Sequence, residues 1–246
     1  MNETVVFCFP YAGAGASVYR GFTSPAAAGI AVAGIQLPGR EELFDEEPYA
    51  TIGVAAADLA AQVLESARGR RYWLFGHSFG AVLAFEVARR LCGSRAAAPQ
   101  RLVVSGSVAP GTSLGRSSSG LTDDEFVARV EQIAGYAHPA LNEPELRELL
   151  LPALRVDVAL HESYRPASAA PLDIPITALR GTVDTSVSAA DCAQWAAWTS
   201  NDFAYMEIGG SHMYLVEDPA ALIRTFVDIA APLPVPDGDA HAAAAS

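Results

Sequence analysis

A doubly wound, mostly parallel α/β sheet is the fold class this sequence predicts, on three observations. Short apolar runs alternate with longer helical patterns along most of the chain. The short runs are almost continuously hydrophobic rather than alternating in and out, as strands covered on both faces require. The 246 residues, 51% of them hydrophobic, supply enough core for one large domain.

The strand candidates are Val5–Phe9, Ala31–Gln36, Tyr72–Phe75, Leu102–Ser105, Ile176–Leu179 and Tyr205–Ile208. Helical periodicity covers Val54–Ser66, Ala81–Leu91, Ala189–Thr199 and Pro219–Ala230. The last of these opens on Asp218 as N-cap with Pro219 in the first helical position. The rhythm breaks from about 112 to 170, where no strand pattern occurs but two capped helices do. Thr122 and Glu125 form a capping box, and Asn142-Glu-Pro-Glu145 is a similar start to a helix running toward Tyr164. Gly111 to Gly120 reads as a flexible approach. An all-helical insertion between two core strands is expected to form a lid over the C-terminal edge of the sheet. The domain is expected to span 1–231, with a disordered tail over 232–246.

No apolar run is long enough for a membrane helix, and the N-terminus lacks a basic-then-apolar leader, so a soluble, cytoplasmic monomer is expected. Cys8, Cys92 and Cys192 are scattered, odd in number and without a C-x-x-C pair, which argues against disulfides and against a zinc site. The net charge of −12 opposes nucleic-acid binding.

Gly76-His77-Ser78-Phe79-Gly80 satisfies G-x-S-x-G between the strand pattern YWLF and an amphipathic helix. A nucleophile in this position sits on a strained strand-to-helix turn, and the flanking glycines let strand and helix approach. A serine hydroxyl needs a base, and the base an orienting carboxylate, in the chain order Ser, acid, His. His77 is too close to Ser78 and reads as structural; His138 and His161 fall in the insertion. His212 follows the last strand candidate and is the base candidate. Asp184 lies one loop beyond the strand ITALRG and is the carboxylate, whereas Asp173, Asp191 and Asp202 sit before strands or inside a helix. The oxyanion donors are assigned to the backbone N–H groups of Phe79 and Ala12, the latter in the glycine-bearing loop after the first strand. Gly13-Ala-Gly15 does not open a dinucleotide fingerprint, because Val18 stands where its third glycine belongs and no acidic residue ends the second strand.

Together FPYAGAGASVYRGF, QLPGRE, FGHSFGA, LPALRVDVALHESY and GTVD ahead of GGSHMYL resemble the type II thioesterases of polyketide and nonribosomal peptide assembly lines. The resemblance implies an α/β-hydrolase fold with a helical lid. It also implies hydrolysis of acyl thioesters from the phosphopantetheine arm of acyl or peptidyl carrier proteins, with no cofactor and no metal. Ser78, Asp184 and His212 then form the triad, and Ala12 and Phe79 the oxyanion hole. Two positions depart from the family pattern: Ser211 stands where glycine usually precedes the histidine, and Tyr11 where the first loop more often has histidine. Apolar loop residues above the serine lead us to expect a hydrophobic acyl chamber. Carrier domains are acidic, so docking on a chain this acidic calls for a local basic patch, with Arg20, Arg40 and Arg116 as candidates. A carboxylesterase or lipase acting on oxygen esters, a chain-releasing cyclase and a non-enzymatic binding protein stay open as alternatives.

Overall fold

A computed structural model describes residues 3–23, 29–93, 97–112, 117–135 and 138–231. Six parallel strands form a single sheet in the order β2-β1-β3-β4-β5-β6. They are β1 (Thr4–Phe9), β2 (Ile30–Gly34), β3 (Tyr72–His77), β4 (Arg101–Ser105), β5 (Ile176–Gly181) and β6 (Phe203–Ile208). Each expected strand is found, and β3 and β5 run two residues further than their apolar runs, up to the turns that carry Ser78 and Asp184. The central strands β1 and β3 are buried throughout, which is why their sequences are apolar without alternation.

Helices α1 (Ile52–Ala67) and α2 (Phe79–Leu91) pack on one face, against a core that includes Phe7, Leu74, Phe85 and Trp195. On the other face α7 (Pro219–Ala230) covers Phe75, Trp73 and Leu179 with Leu222, Ile223 and Phe226. Asp218 caps α7 by accepting from the Ala221 N–H, and Pro219 occupies its first turn.

The insertion is helical. The capping box at Thr122 and Glu125 opens α3 (Asp123–Ala134), and α4 spans Pro144–Ser163. Their facing sides make a small core of Phe126, Val127, Leu141, Leu151 and Leu154. Asn142 does not cap α4: it ends a 3-10 turn over Pro139–Asn142, and Glu143 takes the N-cap position without a side-chain bond. A residue ahead of proline is pushed out of helical geometry, and Glu143 sits at φ −94°, ψ 116°, so the helix starts at Pro144.

The helix expected over Ala189–Thr199 is split. α5 covers Ala189–Ala193, and Gln194–Trp198 tightens into a 3-10 turn. In that turn residues three apart line up. Trp195 and Trp198, three apart in that turn, both meet Phe85 edge-on at 5.4 Å between ring centroids. A short helix α6 (Tyr214–Glu217) precedes α7. The expected tail 232–246 and part of the 111–120 approach lie outside the described residues.

Phe226 is fully buried and meets Phe75 edge-on at 5.2 Å, fixing α7 on the sheet. Phe226→Ala is expected to lower the unfolding free energy by about 3 to 5 kcal/mol in urea denaturation. Val54→Ser, on the exposed side of α1, is expected to change it by less than about 0.5 kcal/mol.

Candidate active site

In a sheet of this order the chain departs from β1 toward β2 and later returns to β3 on the other side of β1. The crevice at such a switch point, beyond the carboxyl ends of the strands, is where open α/β sheets bind ligands. The loop after β1 carries Ala12, and the turn after β3 carries Ser78, so the two meet there.

Ser78 has φ 53° and ψ −118°, a conformation that non-glycine residues rarely adopt. Its N–H donates to the Ser105 carbonyl at 2.8 Å, tying the turn to the end of β4. The flanking glycines are required by contact. A Cβ on Gly76 would stand 2.0 Å from the Gly80 carbonyl oxygen, and one on Gly80 would stand 2.2 Å from that of Phe9. The second clash shows how closely the start of α2 presses on the end of β1, which brings the Phe9–Ala14 loop beside Phe79. The α2 N-terminus itself points its free backbone donors at the Ser78 turn.

His212 Nδ1 lies 2.8 Å from Asp184 Oδ2, and both side chains are buried. The other carboxylate oxygen, Oδ1, accepts the N–H groups of Ser186 (2.7 Å) and Val187 (3.0 Å). Asp184 therefore both holds its own turn and holds the imidazole, two roles that a sequence reading treats as rivals. Burial alone would raise its pKa. The hydrogen bond and charge of His212, with the two backbone donors, outweigh that, so the carboxyl is held below its ordinary value. A carboxylate only accepts, so Nδ1 carries the imidazole proton and Nε2 keeps its lone pair.

The His212 ring lies beside His77, the residue preceding Ser78, with centroids 4.9 Å apart and the rings tilted by 51°. His77 is fully buried, and its Nδ1 meets Ser105 Oγ at 2.9 Å. Ser105 Oγ lies 2.6 Å from the Tyr214 hydroxyl, extending the chain of polar contacts behind His212. Burial, and secondarily the charge of His212, lowers the pKa of His77, which keeps that ring neutral.

A match to the thioesterase domain family covers residues 4–229. The chain belongs to that family. The gramicidin S biosynthesis protein GrsT of Aneurinibacillus migulanus is 31% identical over 220 residues, 89% of this chain and 86% of that protein. Among solved structures, YbtT, a type II thioesterase from the yersiniabactin pathway, superposes with a TM-score of 0.81 at 34% identity, covering 92% of each chain. RedJ, the thioesterase of the prodiginine pathway of Streptomyces coelicolor, gives 0.80 at 31% identity, covering 92% of this chain and 85% of that one. The fold is accordingly the α/β-hydrolase fold of these thioesterases, and the chain is a thioester hydrolase of the serine type.

The thioesterase site contains a histidine that chain order alone sets aside. His161, on the lid helix α4, brings its ring to 6.0 Å from that of Phe79. Desolvation, and then the charge of His212, pushes its pKa down to about 4, so it stands neutral over the nucleophile turn. It also lines a cleft with Val82, Val108, Pro110, Tyr164 and Trp195. A signal for it was present in the spacing, since His161 follows Asp157 by one helical turn and shares its face.

Arg40 corrects another expectation. It is buried, paired with Asp157 and bonded to the Ala14 carbonyl, so it cannot belong to a surface patch. Arg20 is exposed, and Arg116 lies outside the described residues. His138 caps the 3-10 turn at 139–142 through its ring, and Asp191 closes the capping box that Ser188 opens on α5. No helix among the described residues is long and apolar enough to cross a membrane, and no cluster of His, Cys, Asp and Glu among them is arranged to hold a metal ion.

The depressed pKa of Asp184 fixes the sign of a pH effect. A carboxyl titrating lower in the folded chain than in the unfolded one stabilises fully above the unfolded value near 4, and that contribution fades as pH falls through the folded value. The stability difference between wild type and Asp184→Asn, read by urea denaturation, is expected to be constant above about pH 5 and to shrink on acidification below about pH 4.

Proposed function

We propose that the protein is an editing thioesterase that hydrolyses acyl thioesters from the phosphopantetheine arm of carrier proteins, through an acyl-serine intermediate on Ser78. The observations that support this reading are the strained turn at Ser78, after β3, and a His212–Asp184 pair of 2.8 Å on the loops after β6 and β5 of the same parallel sheet.

In this reading His212 Nε2 accepts the Ser78 proton as Oγ attacks the thioester carbonyl. The charge that develops on the carbonyl oxygen is met by the N–H groups of Phe79 and Ala12 and by the α2 N-terminus. The tetrahedral intermediate collapses by expelling the pantetheine thiol, to which the imidazolium returns the proton. Water, deprotonated by the same imidazole, then attacks the acyl-serine and releases the acid. Asp184 holds Nδ1 and stabilises the imidazolium at each stage. The chemistry uses protein side chains and water alone. Neutral His77 and His161 beside His212 add no charge to the proton transfer.

The carrier protein is a transient partner in this reading. With Arg40 committed to the interior, Arg20 is the described residue left from the docking patch.

Carrier protein loaded with a panel of acyl groups, followed by mass spectrometry, tests the function. Wild type is expected to release free acid, and Ser78→Ala to lose about 10⁴-fold or more of kcat while remaining folded. Matched acyl-alcohol esters are expected to turn over more slowly than the thioesters. Faster cleavage of the oxygen esters would move the reading to a carboxylesterase, and a cyclic product in place of the acid to a chain-releasing enzyme.

A further inference from the structure

Two of the motifs that carry the family resemblance, QLPGRE and LPALRVDVALHESY, contribute nothing to the triad, yet the fold brings them together on the loop that follows β1. Asp157, near the middle of α4, accepts the Gly13 N–H through Oδ2 at 2.8 Å. Arg40 binds the same carboxylate in fork geometry, with Nη1 to Oδ2 at 2.5 Å and Nη2 to Oδ1 at 3.0 Å. Its Nη1 also donates to the Ala14 carbonyl at 3.1 Å. Both side chains are buried. One turn earlier on α4, Leu154 closes over Gly13 so tightly that a Cβ there would stand 2.9 Å from Cδ1, at a positive φ of 77°. Glu41 fixes the far end of the loop by accepting the Ser17 N–H at 3.2 Å. Ala12, between the end of β1 and these anchors, packs against the lid core.

The bonds from Asp157 and Arg40 fall on the residues immediately after Ala12. A buried charged pair is a poor choice for stability alone, because well-packed apolar residues of similar volume serve as well or better. What this pair does that apolar residues do not is orient peptide groups. We propose that Asp157 is a positioning residue of the oxyanion hole: seated on the core by its ion pair with Arg40, it fixes the Gly13 peptide and thereby aims the Ala12 N–H at the carbonyl above Ser78. The lid helix and the oxyanion loop then assemble as one unit. The inference rests on the proposed acyl-serine chemistry and adds to it a residue that touches neither substrate nor nucleophile.

Two double variants separate this role from simple packing. Arg40→Met with Asp157→Leu removes both charges and the acceptor. Arg40→Met with Asp157→Asn removes both charges but leaves an amide oxygen for the Gly13 N–H. With an acyl thioester of N-acetylcysteamine, the leucine variant is expected to lose about 10- to 100-fold in kcat with KM changed by less than about threefold, somewhat less than deletion of an oxyanion donor. The asparagine variant is expected to stay within about threefold of wild type. Phosphonylation of Ser78 by a fluorophosphonate, which needs the same donors, is expected to slow in the same ratio. Thermal melts show which variants are folded, and Asp157→Ala on the Arg40→Met background replaces the leucine variant if that one does not melt cooperatively. Equal kcat for the two double variants, whether both fast or both slow, overturns the proposal. So does a loss carried by KM. If wild type cleaves no thioester but still reacts with the fluorophosphonate, the functional reading fails, and the phosphonylation ratio alone decides the positioning role. Absence of phosphonylation in wild type overturns both.

Discussion

The backbone turn at Ser78 is the constraint around which the rest is arranged. Holding a non-glycine residue at φ 53° costs on the order of 1 to 3 kcal/mol, and nothing local to the turn recovers it. The compensation lies in α2, where all but two of the residues from Phe79 to Leu91 are buried between the sheet and α1. Burying a side chain such as Leu83, Phe85 or Val87 contributes roughly 1.5 to 3 kcal/mol each, so the helix as a whole overrides the strain. The same packing forces Gly76 and Gly80 into contact with backbone oxygens and pulls the end of β1 against the start of α2. The Ser78 turn and the loop after β1 are thus neighbours because one helix is tightly seated.

Charge is managed with equal economy around the histidine. Asp184 stays ionised because hydrogen bonds to it outweigh its burial, whereas burial and the charge of His212 keep His77 and His161 neutral, at His77 against the pull of Asp184. An imidazolium forming at His212 therefore finds one carboxylate bonded to Nδ1 and two uncharged rings nearby. The overall charge of −12 has no part in that balance, since its carriers are mainly exposed and screened.

Much of this was legible in the chain. The apolar runs located all six strands, the central ones most clearly because they are buried throughout, and the chain order named Asp184 and His212, which the fold brings to 2.8 Å. The misreadings have two causes. Asn142 looks like a cap until Pro144 forbids Glu143 a helical conformation, and Gln194–Trp198 looks α-helical until two tryptophans compete for Phe85. Arg40 reads as surface charge because its partner Asp157 lies 117 residues away. His161 looks remote because it belongs to an insertion. The first was decided two residues away, at Pro144, and the others by contacts distant in sequence, which local pattern does not carry.

The lid is held unevenly. At its C-terminal end α4 is tied to the nucleophile helix by buried Glu86 on α2, which accepts from the Tyr164 hydroxyl at 2.6 Å and the Ala167 N–H at 3.2 Å. In its middle the Arg40–Asp157 pair ties it to the loop after β1. The polar ties between α3 and α4 are of another kind. Asp123 and Asp124, which pair with Arg155 and Arg147, are largely exposed, and such pairs are worth at most about 1 kcal/mol apiece. Breaking a buried pair costs several times more, about 3 to 5 kcal/mol, because it leaves a charge without a partner. Thermal motion and substrate entry draw on the weakest ties first. The polar ties that join α3 to α4 are therefore weaker than those that hold α4 to α2 and to the loop after β1.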